Sequence, residues 1–520
     1  MLERLFHVRA AGSTIGREVR GGLVTFLTLS YILFVQPIIM KEAIVRPQKP
    51  PELAALAPGQ AVPAELRDAA DAYAAAERQY GEDVEKFTTG VFFATCVASA
   101  VACLIMAFLA NYPFAQAPAM GHNVFFAITV CGATAAGGFG LTWQEALAAN
   151  FLSGAVFLLL SFGGLRRTVM EAIPDGLKYS IAVGIGFLIA FVGLQYGGLV
   201  VDNPSVLVQR GSLNTPVALL TLAGLAILAV LLVRQVRGAL LWGILASGTL
   251  GLAVTYLYPP LAEQCGWAPL PYRLVTWPQD FALPDPSFTF WKLDFAGLFS
   301  TDFVNLVIII FILLFLDLFD SVGTLIGVGD RAGFLDAQGR LPRSAQALIS
   351  DAAGTVVGTV FGTSTISSYI ESAAGVAEGA RTGLANVVTA VLLLASLVAY
   401  PVIAMFGQAV VVDPVVIIVN GAPVLTQGFY HPVLAPVLIV VGSLMMTSVC
   451  KVRWQDYGEA IPAFLCMVVM LFGLSIADGI AWGFIAYALL KVASGQGRHV
   501  GPVVYVVSVL SMLRYVLRPM

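Results

Sequence analysis

The sequence predicts an all-α polytopic membrane protein with 14 transmembrane segments, arranged as a 7+7 inverted repeat with discontinuous segments at positions 3 and 10. Of the 520 residues, 58% are hydrophobic and only 11% are charged, whereas soluble proteins carry about 25% charged residues. Apolar runs of spanning length recur along the chain, and two runs at corresponding positions are short. Lipid must therefore be the solvent for much of this chain, and the weak net charge of −3 gives no reason to expect a nucleic-acid partner.

The apolar runs set the segment boundaries. A membrane-spanning helix needs about 20 apolar residues. Runs of roughly this length lie at 21–40, 90–110, 142–163, 177–200, 214–233, 239–258, 303–328, 344–361, 384–405, 432–449, 459–477 and 479–493. Two shorter runs, 118–132 and 366–378, are flanked by turn formers. A further apolar stretch at 501–517 has basic residues at its far end, which favours a position on the cytoplasmic face.

Basic residues alternate between the two sides of this layout. The short loops expected on one side contain Arg166, Arg167, Lys178, Arg234, Arg237, Arg331, Arg340, Arg343, Arg381, Lys451, Arg453, Lys491 and Arg498. The opposite short loops, 133–141, 362–365 and 404–431, contain no Lys or Arg. The positive-inside rule therefore predicts that both termini are cytoplasmic. Two seven-segment halves then have opposite orientation, and paired interrupted segments in such halves indicate a binding site of a transporter.

Acidic residues inside the apolar runs are the strongest candidates for function. Asp317 and Asp320 lie three residues apart, on one helical face, and a charge at the bilayer centre costs at least about 2.5–3.5 kcal/mol. Glu371 follows a run of Ser and Thr that leads into a short helix of small residues, where free backbone N–H groups can bind a ligand. The alternatives are helix packing through buried polar partners for the aspartates and a helix cap for Glu371.

The other interrupted segment contains further polar candidates. Prolines precede Asn123, so a regular helix begins only near that residue. Asn123 offers a donor and an acceptor, and Phe125 or Phe126 offers a stacking face. His122 could titrate near neutral pH, but local capping is an alternative role. The polar side chains of the first segment either face the same cavity or bond between helices; they are Thr25, Thr28, Ser30, Tyr31 and Gln36.

No metal site, cofactor or enzymatic motif is predicted. The six cysteines show no metal-binding spacing and are interpreted as small buried hydrophobic residues. Gly327-Val-Gly329-Asp330 matches the GxGD pattern of intramembrane aspartyl proteases, but the second catalytic aspartate in its usual context is missing. A protease is therefore disfavoured.

Several blocks resemble the AzgA-like branch of the xanthine/uracil (nucleobase–ascorbate) permeases. They are residues 22–35, 110–121, 317–325, 363–383 and 454–464, of which TSTISSYIESAAGVAEGARTG at 363–383 is the most specific. The resemblance covers nearly the whole chain except 41–87 and 404–430. Gln36 stands where Asn is usual, Ala119 where Gly is usual and His122 where an apolar residue is usual. The two changes beside Asn123 bear on which base is preferred.

The resemblance implies a core domain of segments 1–4 and 8–11 that moves against a gate domain of segments 5–7 and 12–14. The resulting divisions are the cytoplasmic N-terminus 1–20, core 21–40 and 88–163, external loop 41–87, gate 164–258, external loop 259–300, core 301–405, external insertion 406–431, gate 432–493 and cytoplasmic C-terminal segment 494–520. The loop 41–87 is expected to contain an amphipathic helix around 62–80, because Ala-rich sequence forms helices readily.

The resemblance further implies a secondary active transporter, not an enzyme, that imports adenine, guanine or hypoxanthine by proton symport through alternating access. The expected location is a bacterial inner membrane, and the expected assembly is a homodimer. The implied substrate-binding residues are Asn123, Asp320, Glu371, Tyr369, Phe125 and Ser372. The implied proton-coupling residues are Asp320, Glu371, Thr324 and Asp456.

Other cargoes remain open on the residues alone. The same fold could carry uracil, xanthine or an organic anion, and sodium could replace the proton because carboxylates also coordinate sodium. The two central acids disfavour an anion exchanger. Broken helices around a single midplane site speak against a channel.

Overall fold

The computed structural model describes residues 2–47, 50, 63–132, 138–163, 174–203, 207–265, 272–278, 282–336, 341–419 and 422–517. These residues are mainly helical. The α-helices are Leu2–Phe6, Ile15–Leu29, Ile32–Met40, Arg67–Ile105, Met120–Val124, Trp143–Gly163, Asp175–Tyr196, Pro216–Val233, Ala239–Cys265, Phe295–Ser300, Phe303–Ala332, Ser344–Phe361, Ser372–Ala377, Leu384–Ala395, Tyr400–Gly407, Ala435–Met445, Tyr457–Phe472, Ile476–Ala493 and Pro502–Leu517.

Shorter helical turns extend or connect several of these helices. The π-helical segments are Met106–Ala110 and Phe125–Val130, and the 3₁₀ turns are Lys41–Ala43, Ala64–Leu66, Ser396–Ala399, Met446–Lys451 and Gly497–His499. Within the described ranges, nine helices are long and apolar enough to cross a membrane. Shorter apolar helices lie at Met120–Val130, Ala435–Lys451 and Tyr457–Phe472. With Ser344–Phe361 and Ser372–Ala377, a helix lies within each of the 14 predicted segments.

The first predicted segment is two helices with a break at Ser30 and Tyr31. The Thr28 hydroxyl donates to the carbonyl oxygens of Val24 and Thr25, and the Ser30 hydroxyl donates to that of Leu27. Hydroxyls that bond back to the preceding turn bend helices. The break places Tyr31 at the start of the second half-helix.

The second segment extends far beyond its predicted start. Helix Arg67–Ile105 has 39 residues, about 58 Å at 1.5 Å per residue, compared with about 30 Å of bilayer hydrocarbon. Ala-rich sequence and pairs such as Glu82–Lys86, four residues apart, support the exposed part. The helix expected near 62–80 within the predicted loop 41–87 is therefore continuous with the second segment.

The other predicted loops also contain regular structure. Helix Ala239–Cys265 continues through Pro259 and Pro260 into the loop predicted at 259–300, and Phe295–Ser300 is a short helix there. The predicted insertion 406–431 contains an antiparallel hairpin, Val410–Val419 with Ala422–Tyr430. Its register shifts between Val412 and Val415, around Pro414, which cannot donate a ladder hydrogen bond.

Three two-stranded sheets correct the all-α prediction within the described part of the chain. Besides the hairpin, Val200–Asn203 pairs with Leu207–Arg210, and Gln116–Pro118 pairs antiparallel with Ile366–Ser368. The last pair joins the two interrupted segments, one from each half. Backbone polar groups at membrane depth must be satisfied within the protein, so two unwound segments that meet there pair with each other.

The spanning helices pack in two groups. One group contains Ile15–Leu29, Arg67–Ile105, Trp143–Gly163, Ser344–Phe361 and Leu384–Ala395. The other contains Asp175–Tyr196, Ala435–Met445, Tyr457–Phe472 and Ile476–Ala493. Small residues allow close packing within each group: a Cβ added at Gly22 would collide with the carbonyl oxygen of Ala385.

Helices Ile32–Met40 and Ser372–Ala377 also pack on the first group, and Pro216–Val233 and Ala239–Cys265 on the second. Contacts between the two groups occur at both ends. At one end Lys41, Glu42, Tyr196 and His431 form what we call the outer cluster. Lys41 Nζ lies 2.6 Å from His431 Nε2, and the Tyr196 hydroxyl donates to Glu42 Oε1 at 2.8 Å. At the other end Arg237 pairs with Glu378.

Candidate functional site

The strand pair Gln116–Pro118 and Ile366–Ser368 lies between two short helices that begin directly after it. Met120–Val124 follows the first strand and Ser372–Ala377 follows the second. The ladder is extended by hydrogen bonds from Ala119 N to Thr365 O and from Tyr369 N to Ala115 O, each 2.9 Å. The crossing therefore brings the starts of two broken helices from opposite halves to one place.

Two carboxylates border this crossing. Ser367 of the second strand donates to Asp320 Oδ2 at 2.6 Å, and the Asp320 residue is exposed. The Tyr31 hydroxyl donates to Glu371 Oε1 at 3.1 Å, and Glu371 is half-buried. Asp320 and Glu371 also interact electrostatically. The structure thus places the two predicted acids near each other, with Asp320 inside helix Phe303–Ala332 and Glu371 directly before helix Ser372–Ala377.

The Asp320 side of helix Phe303–Ala332 faces open space. Among the described residues, a Cβ added at Gly323 or Gly327 would meet no neighbouring atom within 4 Å, and Asp330 is exposed. These positions follow Asp320 at helical spacing, towards the end of the helix at Ala332. The preceding residues 312–318 are buried. The opening therefore runs from Asp320 to the end that the charge pattern predicts to be cytoplasmic.

Asn123 is fully buried in a closed hydrogen-bond network. Its Nδ2 donates to Gln36 Oε1, and its Oδ1 accepts from the Ser364 hydroxyl. Gln36 Nε2 donates in turn to Thr363 Oγ1 at 2.9 Å. The predicted contact between Asn123 and a substrate requires exchange of one of these partners, because in this conformation the network joins the first segment to both interrupted segments.

Three other predicted contact residues, Tyr369, Ser372 and Phe125, are also buried within the protein. The Tyr369 hydroxyl donates to Pro118 O at 2.5 Å, and the Ser372 hydroxyl accepts from Ala115 N at 3.0 Å. Phe125 is fully buried. Thr324, predicted for proton coupling, is buried one helical turn after Asp320. The Tyr369 and Ser372 side chains thus bond the second interrupted segment to the first in this conformation.

Asp456 lies in a separate place. Its Oδ1 accepts from Gly458 N at 2.9 Å and so caps helix Tyr457–Phe472, and its Oδ2 is 3.6 Å from Lys491 Nζ. These partners belong to the last segments of the chain. The structure does not bring Asp456 into contact with Asp320 or Glu371.

A second carboxylate pair lies on the other side of the crossing. Asp317 accepts from Thr355 at 2.9 Å and from Ser321 at 3.4 Å. Asp351 accepts from Ser368 at 2.7 Å and from Gln116. Sequence reasoning missed Asp351 as a site residue, although an acid within an apolar run was the signal that singled out Asp320.

His122 and metal-binding groups are the remaining candidates for this site. His122 is buried, and its Nε2 has no hydrogen-bond partner among the described residues. No group of three or more His, Cys, Asp or Glu side chains is arranged to hold a metal ion within the described ranges. The candidate site is therefore built from carboxylates, hydroxyls, amides and the ends of broken helices.

Spanning helices, a crossing of two broken segments and acids beside an open face together define a multi-pass membrane transporter. The chain matches the xanthine/uracil permease model, described as a permease family, over residues 74–482. It belongs to that family and is a transporter, not an enzyme.

Curated relatives match over nearly their full length. The guanine/hypoxanthine permease PbuO of Bacillus subtilis is 35% identical, with 98% of this chain and 99% of the relative covered. The adenine permease AdeP of Escherichia coli is 34% identical, with 99% and 96% covered. A putative permease of Methanocaldococcus jannaschii is 36% identical, with 99% and 98% covered.

Solved structures at low identity show the same fold. The transmembrane domain of the cyanobacterial bicarbonate transporter BicA aligns with a TM-score of 0.53 at 15% identity, covering 90% of this chain and 96% of that one. The murine anion transporter Slc26a9 in the inward-facing state aligns with a TM-score of 0.51 at 10% identity, covering 92% and 68%.

Proposed function

We propose that this chain imports purine nucleobases of the adenine, guanine and hypoxanthine class across a bacterial inner membrane, by proton symport through alternating access. The observation that carries the proposal is the pair Asp320 and Glu371 at the open side of the crossing. Relatives with 34–35% identity are named as guanine/hypoxanthine and adenine permeases. The two lines of support are independent, because one is geometry and the other is whole-chain similarity.

A purine base suits the chemistry of this site. The base is a flat neutral ring with N–H donors, and a carboxylate accepts such donors in charge-assisted hydrogen bonds. Asp320 Oδ1 has no hydrogen-bond donor among the described residues, while Ser367 fixes the other oxygen. We assign Glu371 to gripping the base and Asp320 to carrying or relaying the proton. Contacts from Asn123, Tyr369, Phe125 and Ser372 would form as the crossing rearranges.

Proton coupling supplies the driving force. One charge moved across 100 mV is worth about 2.3 kcal/mol, which supports roughly fifty-fold accumulation. The two helix groups provide the parts for alternating access, with the first group as the core and the second as the gate. The outer cluster and the Arg237–Glu378 pair are contacts that such a motion breaks and remakes.

An anion cargo is the second candidate, because the solved structures with this fold include anion transporters. The negative charge of the site disfavours an anion cargo. Lys178 lies over the ring of Phe319, beside Asp320, but its ammonium pairs with Asp175 at 2.8 Å. Asp320 and Glu371 bond to hydroxyls and to no Lys, Arg or His among the described residues, and two such carboxylates would repel an anion.

The test is uptake of labelled adenine, guanine, hypoxanthine, xanthine, uracil and bicarbonate into cells that lack their own permeases, with Glu371→Gln as the variant. Glu82→Gln, on the exposed outer helix, is the matched control. We expect saturable purine uptake that Glu371→Gln lowers about 10- to 100-fold, since a charged hydrogen bond is worth about 1.5–3 kcal/mol. A proton uncoupler should abolish accumulation, and replacing sodium with choline should not. Uptake of bicarbonate alone would favour the anion cargo.

A further inference from the structure

Asp351 and Gln116 form a buried side-chain pair at the centre of the crossing. Asp351 lies on helix Ser344–Phe361 and is fully buried, as is Gln116 on the first strand. Gln116 Nε2 donates to Asp351 Oδ1, and Ser368 Oγ donates to the same oxygen at 2.7 Å. Gln116 and Ser368 face each other in the ladder. One carboxylate oxygen thus connects to both strands of the crossing.

The remaining oxygen of each group has no partner. Asp351 Oδ2 and Gln116 Oε1 are both buried and accept no hydrogen bond in the described part of the chain. The Ser321 hydroxyl, which donates to Asp317 Oδ1 at 3.4 Å, also interacts with Asp351. If Asp351 were ionised, both atoms would be acceptors, and burial of unpaired acceptors is unfavourable. Asp351 Oδ2 is bonded to the same carbon as Oδ1, and Gln116 Oε1 is bonded to the same carbon as Nε2. Oδ1 and Nε2 are the two atoms of the existing hydrogen bond. When the two planar groups are coplanar, Oδ2 therefore lies opposite Oε1.

The surroundings of Asp351 add negative charge and no compensating cation. Asp317 and Asp320 of helix Phe303–Ala332 interact with it electrostatically. On helix Arg67–Ile105 the titratable neighbour is the thiol of Cys103, which contacts the backbone of Gln116. Helix Trp143–Gly163 contributes Asn150, which does not titrate and bonds to Thr365. No Lys, Arg or His bonds to Asp351 or Asp317 among the described residues.

From this geometry we infer that Asp351 is a proton-binding residue. The proton on Oδ2 is donated to Gln116 Oε1 and completes a two-bond ring between a carboxylic acid and an amide. When the proton leaves to water, the electron pair stays on the carboxylate and the ring opens. The assignment of this proton to coupling rests on the symport proposed above. Its ring partners are close to the proposed site in the chain: Ser368 lies three residues before Glu371, and Gln116 lies four residues before Met120.

Infrared difference spectroscopy of the purified protein in lipid vesicles, without purine, tests the proton directly. We expect a pH-dependent carboxylic-acid C=O band that disappears in Asp351→Asn. In Gln116→Leu the band should remain but shift in frequency, because the ring partner is gone. Glu82→Gln serves as the control and should leave the spectrum unchanged. Identical spectra for wild type and Asp351→Asn between pH 4 and 10 would overturn the assignment.

Transport tests whether the proton is coupled. An asparagine at 351 can form the same two-bond ring with Gln116, so Asp351→Asn imitates the permanently protonated form. We expect it to retain exchange of labelled for unlabelled purine and to lose accumulation driven by the proton gradient, from up to about fifty-fold per 100 mV to about one-fold. Accumulation at the wild-type level would exclude Asp351 from coupling. Absence of purine transport in the wild type would overturn the proposed function and leave the infrared result unaffected.

Discussion

The Asp320 carboxylate is held from one side only. Ser367 donates to Oδ2, while the opposite oxygen has no donor among the described residues and the residue is exposed. A carboxylate fixed in this way keeps one oxygen for a ligand or a proton without losing its orientation. Pre-set orientation lowers the entropy that binding must overcome.

Ser367→Ala should weaken transport by releasing Asp320. A hydrogen bond to a charged group contributes about 1.5–3 kcal/mol, so we expect the purine KM to rise about 10-fold or more while the amount of folded protein stays unchanged. The control is Ser300→Ala, which removes an exposed hydroxyl that bonds to Gly297 O. KM values are measured from initial uptake rates, and an unchanged KM would mean that Ser367 does not position Asp320.

Gln36→Ala should destabilise the protein through Asn123. It removes the acceptor of Asn123 Nδ2 and the donor to Thr363, all in a fully buried setting. An unsatisfied buried polar group costs about 1–3 kcal/mol, so the midpoint of thermal unfolding in detergent should fall. Gln79→Ala, an exposed helix position bonded to Asp83, is the control. Equal midpoints for both variants would contradict a structural role of the network.

The acids of the site could be predicted from the sequence, whereas their partners could not. Asp320 and Glu371 stand out because ionisable groups in apolar runs are rare. The partners of Asn123, Gln36 and Ser364, lie 87 and 241 residues away in the chain. Hydrogen bonds over such separations depend on how the segments cross, and a single sequence does not contain that geometry.

The helices could be predicted because an apolar run of spanning length is a local feature of the sequence. The elements that could not be predicted have physical causes. Apolar runs of spanning length each correspond to a helix, but the outer end of Arg67–Ile105 is polar and Ala-rich, so hydropathy does not extend it. The strand pair Gln116–Pro118 with Ile366–Ser368 has only three residues per strand. Such short strands form because they meet each other, and no local pattern predicts them.

The outer cluster predicts a pH-sensitive contact between the two helix groups. Burial, and next the Lys41 ammonium, hold the pKa of His431 well below its usual range. His431 is therefore neutral: Nδ1 donates to Gly407 O and Nε2 accepts from Lys41. The facing charged and titratable groups are Lys41, Glu42 and Tyr196. Because the folded pKa is lowered, the contact is fully stable above the unfolded value of about 6.5. It weakens progressively as the pH falls from that value through the folded pKa.

This pH dependence can be followed by labelling a buried position in the cluster. Ala43 is buried there, whereas Val45 is exposed. In a Cys450→Ser background, the maleimide reaction rate of Ala43→Cys, divided by that of Val45→Cys, should rise several-fold between pH 7.5 and 5.5. His431→Asn should remove the pH dependence because Asn does not titrate. A constant ratio in the unaltered cluster would show that His431 does not control this contact.

The molecule as a whole is open on one side of its crossing. The two groups of helices touch at the outer cluster, while the face from Asp320 to Asp330 is free. The charge pattern predicts that this side is the cytoplasmic one. The family and the solved structures establish the fold, and the direction of opening is a prediction of the present conformation.

Labelling from each side of the membrane checks this direction. Gly323→Cys introduces a side chain into open space, so folding should be unaffected. Membrane-impermeant maleimide should react with it at least about 10-fold faster in inside-out than in right-side-out vesicles, and saturating purine should slow the reaction. Gly81→Cys, also without near neighbours on the outer helix, is the matched control with the reverse preference. Faster labelling of Gly323→Cys from outside would reverse the assigned direction.

The strand pair at the crossing has a consequence for biosynthesis. Gln116 meets Ser368, about 250 residues later in the chain. At roughly 5–20 residues per second, the ribosome needs on the order of 10–50 seconds to deliver the partner. During that interval the first interrupted segment has unpaired backbone groups at membrane depth, where they are costly. The nascent first half must therefore be sheltered by the insertion machinery, by water or by chaperones until the second half arrives, and neither half is a self-sufficient folding unit.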